Sequence, residues 1–283
     1  MSASLPTLYV TDLDGTLLGS DARLSARTRE GLARLLDRGL NLTVASARSV
    51  VAMQVMLEGL PMPLPVVEFH GAFVSDLATG RHLVTHALEP EAAREVFDTA
   101  VAARCLPLVS TFDGRSDRLY YSEVRNQGVR WYVEDRIENE DPRLTKVDDA
   151  SAHLSEDVVS LTIIDRPAVL DGIQSALADR LGSALSMHRF ASLYADGWDW
   201  LTVHHARATK DQGLAAMLEL AGLDGVEVVA IGDGDSDIPL FRAADRAVAV
   251  ANSTEGLLSV ATEVIGPNTE DGVVEFLERE WDR

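Results

Sequence analysis

Two apolar runs, one near each end of the chain, finish in closely spaced aspartates: TLYVTDLDGT at residues 7–16 and VEVVAIGDGDSD at residues 226–237. Few folds let a buried strand run straight into several carboxylates and then into a helix. An open parallel sheet does, because its strands are buried on both faces and its ligands gather at the strands' carboxyl ends. The surrounding pattern agrees. Ser25 is placed to cap a helix with apolar positions Leu32, Leu35 and Leu36, closed by Gly39. Leu40 to Ala45 reads as a second strand, ending at Ser46-Ala47-Arg48, and Pro65 to Phe69 as a third. Near the C-terminus, Leu214, Met217, Leu218 and Ala221 mark a helix closed by Gly222. The strand from Val226 to Ile231, a helix from Ile238 to Ala244, the strand Ala247 to Val250 and a last helix around Val273, Phe276 and Leu277 follow.

The middle of the chain has another rhythm. A helix near Glu91 to Ala103 precedes strands at Leu106–Phe112 and Arg118–Glu123, joined by Asp113-Gly114. Then come a charged helix (Val129–Ile137), a strand (Val158–Ile164), a helix (Ala168–Leu181) and two strands, Leu185–Phe190 and Trp198–His204. Helix-strand-strand units predict an antiparallel sheet with its helices on one side. The expected fold class is therefore α/β: a Rossmann-like parallel-sheet core, residues 1–84 and 204–283, interrupted by an inserted α+β domain at 85–203.

Composition narrows the function. With 45 acidic against 25 basic side chains, the formal net charge of −20 disfavours nucleic acid and anionic membrane as partners. The single cysteine, Cys105, excludes an internal disulfide and fits a reducing compartment. With a strand expected by Leu8 there is little room for a signal peptide, so a cytoplasmic protein is expected. An anionic small-molecule substrate needs the acidic field reversed locally.

A cation does that. Mg²⁺ is held by a few carboxylates and keeps positions open for phosphate oxygens, so Asp12 and Asp233 are its expected ligands. The alternative of a calcium loop at Asp233-Gly-Asp-Ser-Asp237 fails, because loop positions six and twelve are Ile238 and Ala244 rather than glycine and glutamate. Two acids at i and i+2 then divide the work: one stays ionised beside the metal and can attack, while the other, turned away from it, can be pushed toward its neutral form by acidic neighbours and partial burial. Gly15 allows the sharp exit from the strand, and Thr16 is expected to cap the turn.

Asp12-Leu-Asp-Gly-Thr16, a serine ending strand two, a lysine, and Gly-Asp-x-x-x-Asp after a late strand resemble the four ordered motifs of the haloacid dehalogenase superfamily. His70-Gly-Ala72, Asp271-Gly-Val273 and the insertion between Ser46 and Lys210 resemble its Cof-type, subclass IIB phosphatases. The resemblance spans nearly the whole chain. It implies a Mg²⁺-dependent hydrolysis of small phosphomonoesters, sugar phosphates by default, with Asp12 as nucleophile and Asp14 as general acid and base. Ser46, the Ala47 amide, Lys210 and Ser236 would hold the phosphate. Asp12, the Asp14 backbone carbonyl and Asp233 would hold the metal, with Asp237 orienting Lys210 or a metal-bound water. The insertion would be a cap, with Arg125, Asn126, His188, Arg189 and Tyr194 as candidate readers of the leaving group. Arg48 is a supporting candidate directed at the phosphate or the cap.

Three positions depart from the family pattern: Ala47 where glycine is usual, Ser236 where asparagine is frequent, and His70 where asparagine often precedes Gly-Ala. A phosphomutase would use the same residues. A phosphometabolite-binding regulator would not need an acid two residues beyond the acceptor, so Asp14 favours turnover.

Overall fold

The computed structural model describes residues 7–191 and 196–282. The chain divides into two compact units, Met1–Thr85 with Ala208–Arg283, and His86–Arg207. The first unit opens with β1 (Thr7–Thr11), whose side chains enter two different cores: Tyr9 joins one face of the sheet, Leu8 and Val10 the other. That two-sided burial is why the run is apolar without alternation. Helix α1 (Ala26–Asp37) starts where the Ser25 hydroxyl accepts the Thr28 N–H at 2.9 Å, and it buries Leu32, Leu35 and Leu36. Strand β2 (Asn41–Val44) and helix α2 (Val50–Met56) follow.

The third expected strand takes another course. β3 (Val66–Glu68) touches the main sheet through the isolated parallel bridge Ala45–Val67 and otherwise pairs antiparallel with β4 (Phe73–Ser75), which pairs with β5 (His82–Thr85). The reversal is made by Phe69, His70 and Gly71, all at positive φ (48°, 58° and 111°). Three successive left-handed residues turn the chain back before it can cross over in parallel. Gly71 is obligatory there, since a Cβ would lie 2.2 Å from the Thr209 carbonyl oxygen.

The second unit contains α3 (Pro90–Ala102), β6 (Leu108–Phe112), β7 (Asp117–Tyr121), α4 (Gln127–Glu138), β8 (Leu144–Lys146), β9 (Asp157–Asp165), α5 (Pro167–Leu181), β10 (Leu185–Ala191) and β11 (Asp199–His205). Its sheet runs β10-β11-β9-β6-β7-β8. Helices α3 and α5 pack on Val109, Leu161, Ile163, Leu201 and Val203. Helix α4, by contrast, sets Val129 and Val133 against Leu108, Leu119 and Ile164. Because neighbouring strand residues point to opposite faces, Leu108 and Val109 mark two separate cores. The helices therefore cover both faces, where the sequence pattern had placed them on one.

The chain re-enters the first unit at α6 (Lys210–Ala221), closed by Gly222 in the left-handed conformation. After it come β12 (Glu227–Gly232), α7 (Ile238–Ala243), β13 (Arg246–Val250), α8 (Glu255–Leu258), β14 (Glu263–Ile265) and α9 (Gly272–Trp281). The five-stranded sheet β14-β13-β12-β1-β2 is parallel throughout. From β1 the chain builds one way to β2 and, after the insertion, the other way from β12 to β14. The order reverses between β1 and β12, and crevices form at such switch points. Among the described residues, no helix is long and apolar enough to cross a membrane.

Gly71→Ala is expected to cost at least ~2 kcal/mol, combining a strained backbone with overpacking. The urea unfolding midpoint should fall accordingly, at unchanged m-value.

Candidate active site

Register decides what meets at the switch point. Thr11 of β1 lies opposite Ile231 of β12, and the Asp12 N–H donates to the Ile231 carbonyl at 2.9 Å. Both chains then leave the sheet side by side, so Asp12 and Asp233 emerge together. Residues Leu13–Leu17 form one wide turn, interrupted by extended Asp14 and by Gly15 at φ +72°. A Cβ on Gly15 would sit 2.3 Å from Asp233 Oδ2, so the glycine lets the turn close over that carboxylate. Thr16, expected to cap the turn, instead donates its hydroxyl to Asp233 Oδ1 at 2.9 Å. The turn is pinned from outside by two residues the sequence reading missed. Asn252 donates to the Gly15 carbonyl at 2.8 Å, Asn268 donates to the Leu18 carbonyl at 2.8 Å, and the Asn252 side-chain oxygen accepts the Asn268 N–H at 3.0 Å. Only the position of Asn252, just beyond the buried strand ending at Val250, hinted at such a task.

Lys210 is the first residue of α6, 2% exposed, with its Nζ 2.9 Å from Asp12 Oδ2 and 2.5 Å from Asp237 Oδ1. The other Asp237 oxygen accepts the N–H groups of Asp233 and Gly234, each at 3.1 Å. Asp237 thus shapes the loop and holds the lysine at once. Burial pushes the Asp12 carboxyl up to about 7, with Lys210 opposing and Asp237 and Asp233 adding to the rise. Burial likewise raises Asp233 to about 6, reinforced by Asp237 and opposed by the Thr16 hydroxyl. Desolvation works against the charge on Lys210, but Asp12 and Asp237 outweigh it, and its amine is raised above the ordinary lysine value.

A divalent cation suits this set. Asp12, Asp233 and Asp237 each offer an oxygen, and the three lie within 4.8 Å of one another. With Asp14, four carboxylates face two cationic side chains, Lys210 and Arg48, leaving two negative charges for a divalent ion to match. Asp237 is committed to Lys210 and to the two backbone N–H groups of its own loop, whereas Asp12 and Asp233 stand at the adjacent strand ends and are the carboxylates placed to hold it.

The loop after β2 supplies Ser46, Ala47 and Arg48. Ser46 is buried; its carbonyl accepts the His70 N–H at 3.0 Å and its hydroxyl the Arg48 N–H at 3.3 Å. Ala47 is exposed, and Ser236 half-buried in the turn before α7. Arg48 has a partner that the sequence did not indicate. Its Nε and Nη2 grip the two oxygens of Asp14, each at 2.7 Å. The side chain of Asp14 is partly buried, 45% exposed.

In the second unit, two candidates serve the local fold. Asn126 caps α4 by accepting the Val129 N–H at 2.8 Å, and it donates to the Ile164 carbonyl. Arg189 is held by Asp171, Asp199 and the Pro167 carbonyl. Arg125 pairs with Glu123 at 2.9 Å, and with Asn126 it lines a small, partly open pocket. His188 lies 3.0 Å from the Ser186 hydroxyl. Tyr194 lies outside the described residues.

The raised carboxyls give a signed expectation. A carboxyl whose folded value exceeds its unfolded value stabilises at low pH, and that contribution is lost as pH rises through the folded value. Asp12 and Asp233 should therefore make the metal-free protein lose thermal stability between about pH 4 and 7. Asp12→Asn should flatten that slope, and Mg²⁺ at pH 8 should raise the melting temperature of wild type. Melting curves in EDTA and in Mg²⁺ across this range check it.

The sequence pattern of one family, described as haloacid dehalogenase-like hydrolase, matches residues 9–277. A 5-amino-6-(5-phospho-D-ribitylamino)uracil phosphatase of Bacillus subtilis is 25% identical, with 96% of each chain covered. A haloacid dehalogenase-like hydrolase from Bacteroides thetaiotaomicron shares the fold at a TM-score of 0.78 and 24% identity, over 97% of this chain and 99% of that one. The subclass IIB sugar phosphatase BT4131 shares it at a TM-score of 0.77 and 18% identity, over 97% and 99%. Taken with the acidic site at the β1–β12 switch point, these matches mean that the chain belongs to the haloacid dehalogenase-like hydrolases.

Proposed function

We propose that the protein is a Mg²⁺-dependent phosphatase of small phosphomonoesters, working through an aspartyl-phosphate on Asp12. One observation carries the reading. Asp12 and Asp233 stand at adjacent strand ends, Asp12 is held by a buried lysine, and a second acid, Asp14, lies two residues on. Bound by Asp12 and Asp233, with the Asp14 backbone carbonyl, Mg²⁺ would supply positive charge to the phosphoryl oxygens.

In the first step an Asp12 oxygen bonds to phosphorus as the ester oxygen departs, and Asp14 gives that oxygen a proton. In the second, water attacks phosphorus and gives its proton to Asp14, the bond to Asp12 breaks, and phosphate leaves. Phosphoryl transfer is chiefly positioning and charge stabilisation. Lys210 supplies positive charge, the Ser46 hydroxyl and Ala47 N–H supply donors, and Ser236 adds a shorter donor than the family's frequent asparagine. Asp237 keeps Lys210 in place.

The second unit is assigned the choice of leaving group. The relatives' names, a phosphorylated ribityl-pyrimidine phosphatase and a sugar phosphatase, favour a phosphorylated polyol or sugar-like metabolite. A cytoplasmic setting fits the single buried cysteine.

Phosphate release from a panel of sugar, polyol and nucleotide monoesters, in Mg²⁺ and in EDTA, tests the proposal. Wild type should turn over in Mg²⁺ alone, Asp12→Asn should fall to background, and Asp14→Asn should lose about 10²- to 10⁴-fold. Turnover by Asp12→Asn near the wild-type rate would exclude the aspartyl-phosphate. Lys210→Met should lose activity while the cluster of Asp12, Asp233 and Asp237, now short of one cation, makes the metal-free protein less stable at pH 8.

A further inference from the structure

Asp14 has the most demanding task in the proposed reaction and the least enclosed position. It must meet the leaving oxygen in one step and a water in the next, yet its side chain is 45% exposed. It also sits one turn from a cation site, near enough to Asp233 to help raise that carboxyl. An acid so placed, if unrestrained, would sample several rotamers or turn onto the cation itself. Among the described residues, what restrains it is Arg48. Nε meets Oδ2 and Nη2 meets Oδ1, both at 2.7 Å, so the planar guanidinium fixes the position of the carboxylate and the plane in which it lies.

Arg48 is itself well anchored. Its N–H donates to the Ser46 hydroxyl at 3.3 Å, and its carbonyl accepts the Phe69 N–H at 3.2 Å, at the start of the left-handed turn. Its main chain thus orients one proposed phosphate donor while its side chain holds the acid. The two groups come from segments 34 residues apart in sequence.

We propose that Arg48 is the positioning residue for Asp14, holding its carboxylate aimed for proton transfer. The inference rests on the phosphatase reading and adds a function for a side chain that the mechanism does not otherwise use. A planar fork, rather than a positive charge alone, is what the task requires.

The test combines leaving-group dependence with a double-mutant cycle, using Arg48→Gln, Arg48→Lys, Asp14→Asn and the Arg48→Gln/Asp14→Asn pair. The readouts are steady-state turnover and first-turnover release of the leaving group. On an alkyl phosphate, whose oxygen needs a proton to depart, Arg48→Gln should lower kcat on the order of 100-fold with KM within about threefold. On p-nitrophenyl phosphate, whose leaving group departs without a proton, first-turnover release should fall less than about tenfold. Added to Asp14→Asn, Arg48→Gln should cost nothing more, since it acts through that residue. Arg48→Lys, with the charge but not the fork, should recover only part of the loss.

A raised KM at unchanged kcat would overturn the proposal and make Arg48 a substrate contact. Equal first-turnover losses on both esters, full additivity with Asp14→Asn, or complete rescue by lysine would each overturn it too. Wild type inactive on every ester would overturn the phosphatase reading, and this inference with it.

Discussion

Everything at the site follows from one buried ion triplet: Lys210 between Asp12 and Asp237. Removing an ammonium and two carboxylates from water is costly, and their mutual attraction offsets that only when the geometry is good and the remaining lone pairs are satisfied. Here they are. Asp237 accepts two backbone N–H groups with its second oxygen, and Asp12 accepts the Leu13 N–H at 2.7 Å. The triplet ties the start of α6, where the chain re-enters the first unit, to the ends of β1 and β12. It also leaves a surplus of negative charge next to Asp233, and that surplus makes the site a place for a divalent cation.

Close approach is the second requirement. Four carboxylates fit at one sheet end only if the backbone between them is slim. Gly15 lets its turn lie against Asp233, Gly232 leaves room for the Asp237 side chain, and Gly71 lies against Thr209 beside Lys210. Thr16, Asn252 and Asn268 then hold the turn with uncharged side chains, adding no charge to a site already crowded with it. The His70-Gly-Ala72 segment owes its place in the sequence to this geometry: its left-handed turn reverses the chain and braces the Ser46 carbonyl.

The pairing of Arg48 with Asp14 changes how the two neighbouring acids divide their roles. In the sequence, the acid turned from the metal was the one expected to be pushed toward its neutral form, by acidic neighbours and partial burial. In the structure the buried, strongly raised carboxyl is Asp12, while Asp14 is half-exposed and held by a guanidinium. Deep burial thus belongs to Asp12, and the pairing with a guanidinium to Asp14.

The sequence by itself determined the parallel α/β core, the interrupting α+β segment and the aspartates of the site, because burial on both faces of a strand and loops at its carboxyl end leave a local imprint on residue order. Lys210 was legible for the same reason, standing at a helix start in register with the acidic motifs. Tertiary structure alone decided the rest. That Arg48 reaches Asp14, Thr16 reaches Asp233 and Asn252 reaches Gly15 are contacts across 34, 217 and 237 residues, set by strand order and register that no local pattern encodes. The hairpin of β3 to β5 and the placement of α4 opposite α3 and α5 are of the same kind. Periodicity tells which residues are buried, but only the assembled sheet tells which face buries them and what waits there.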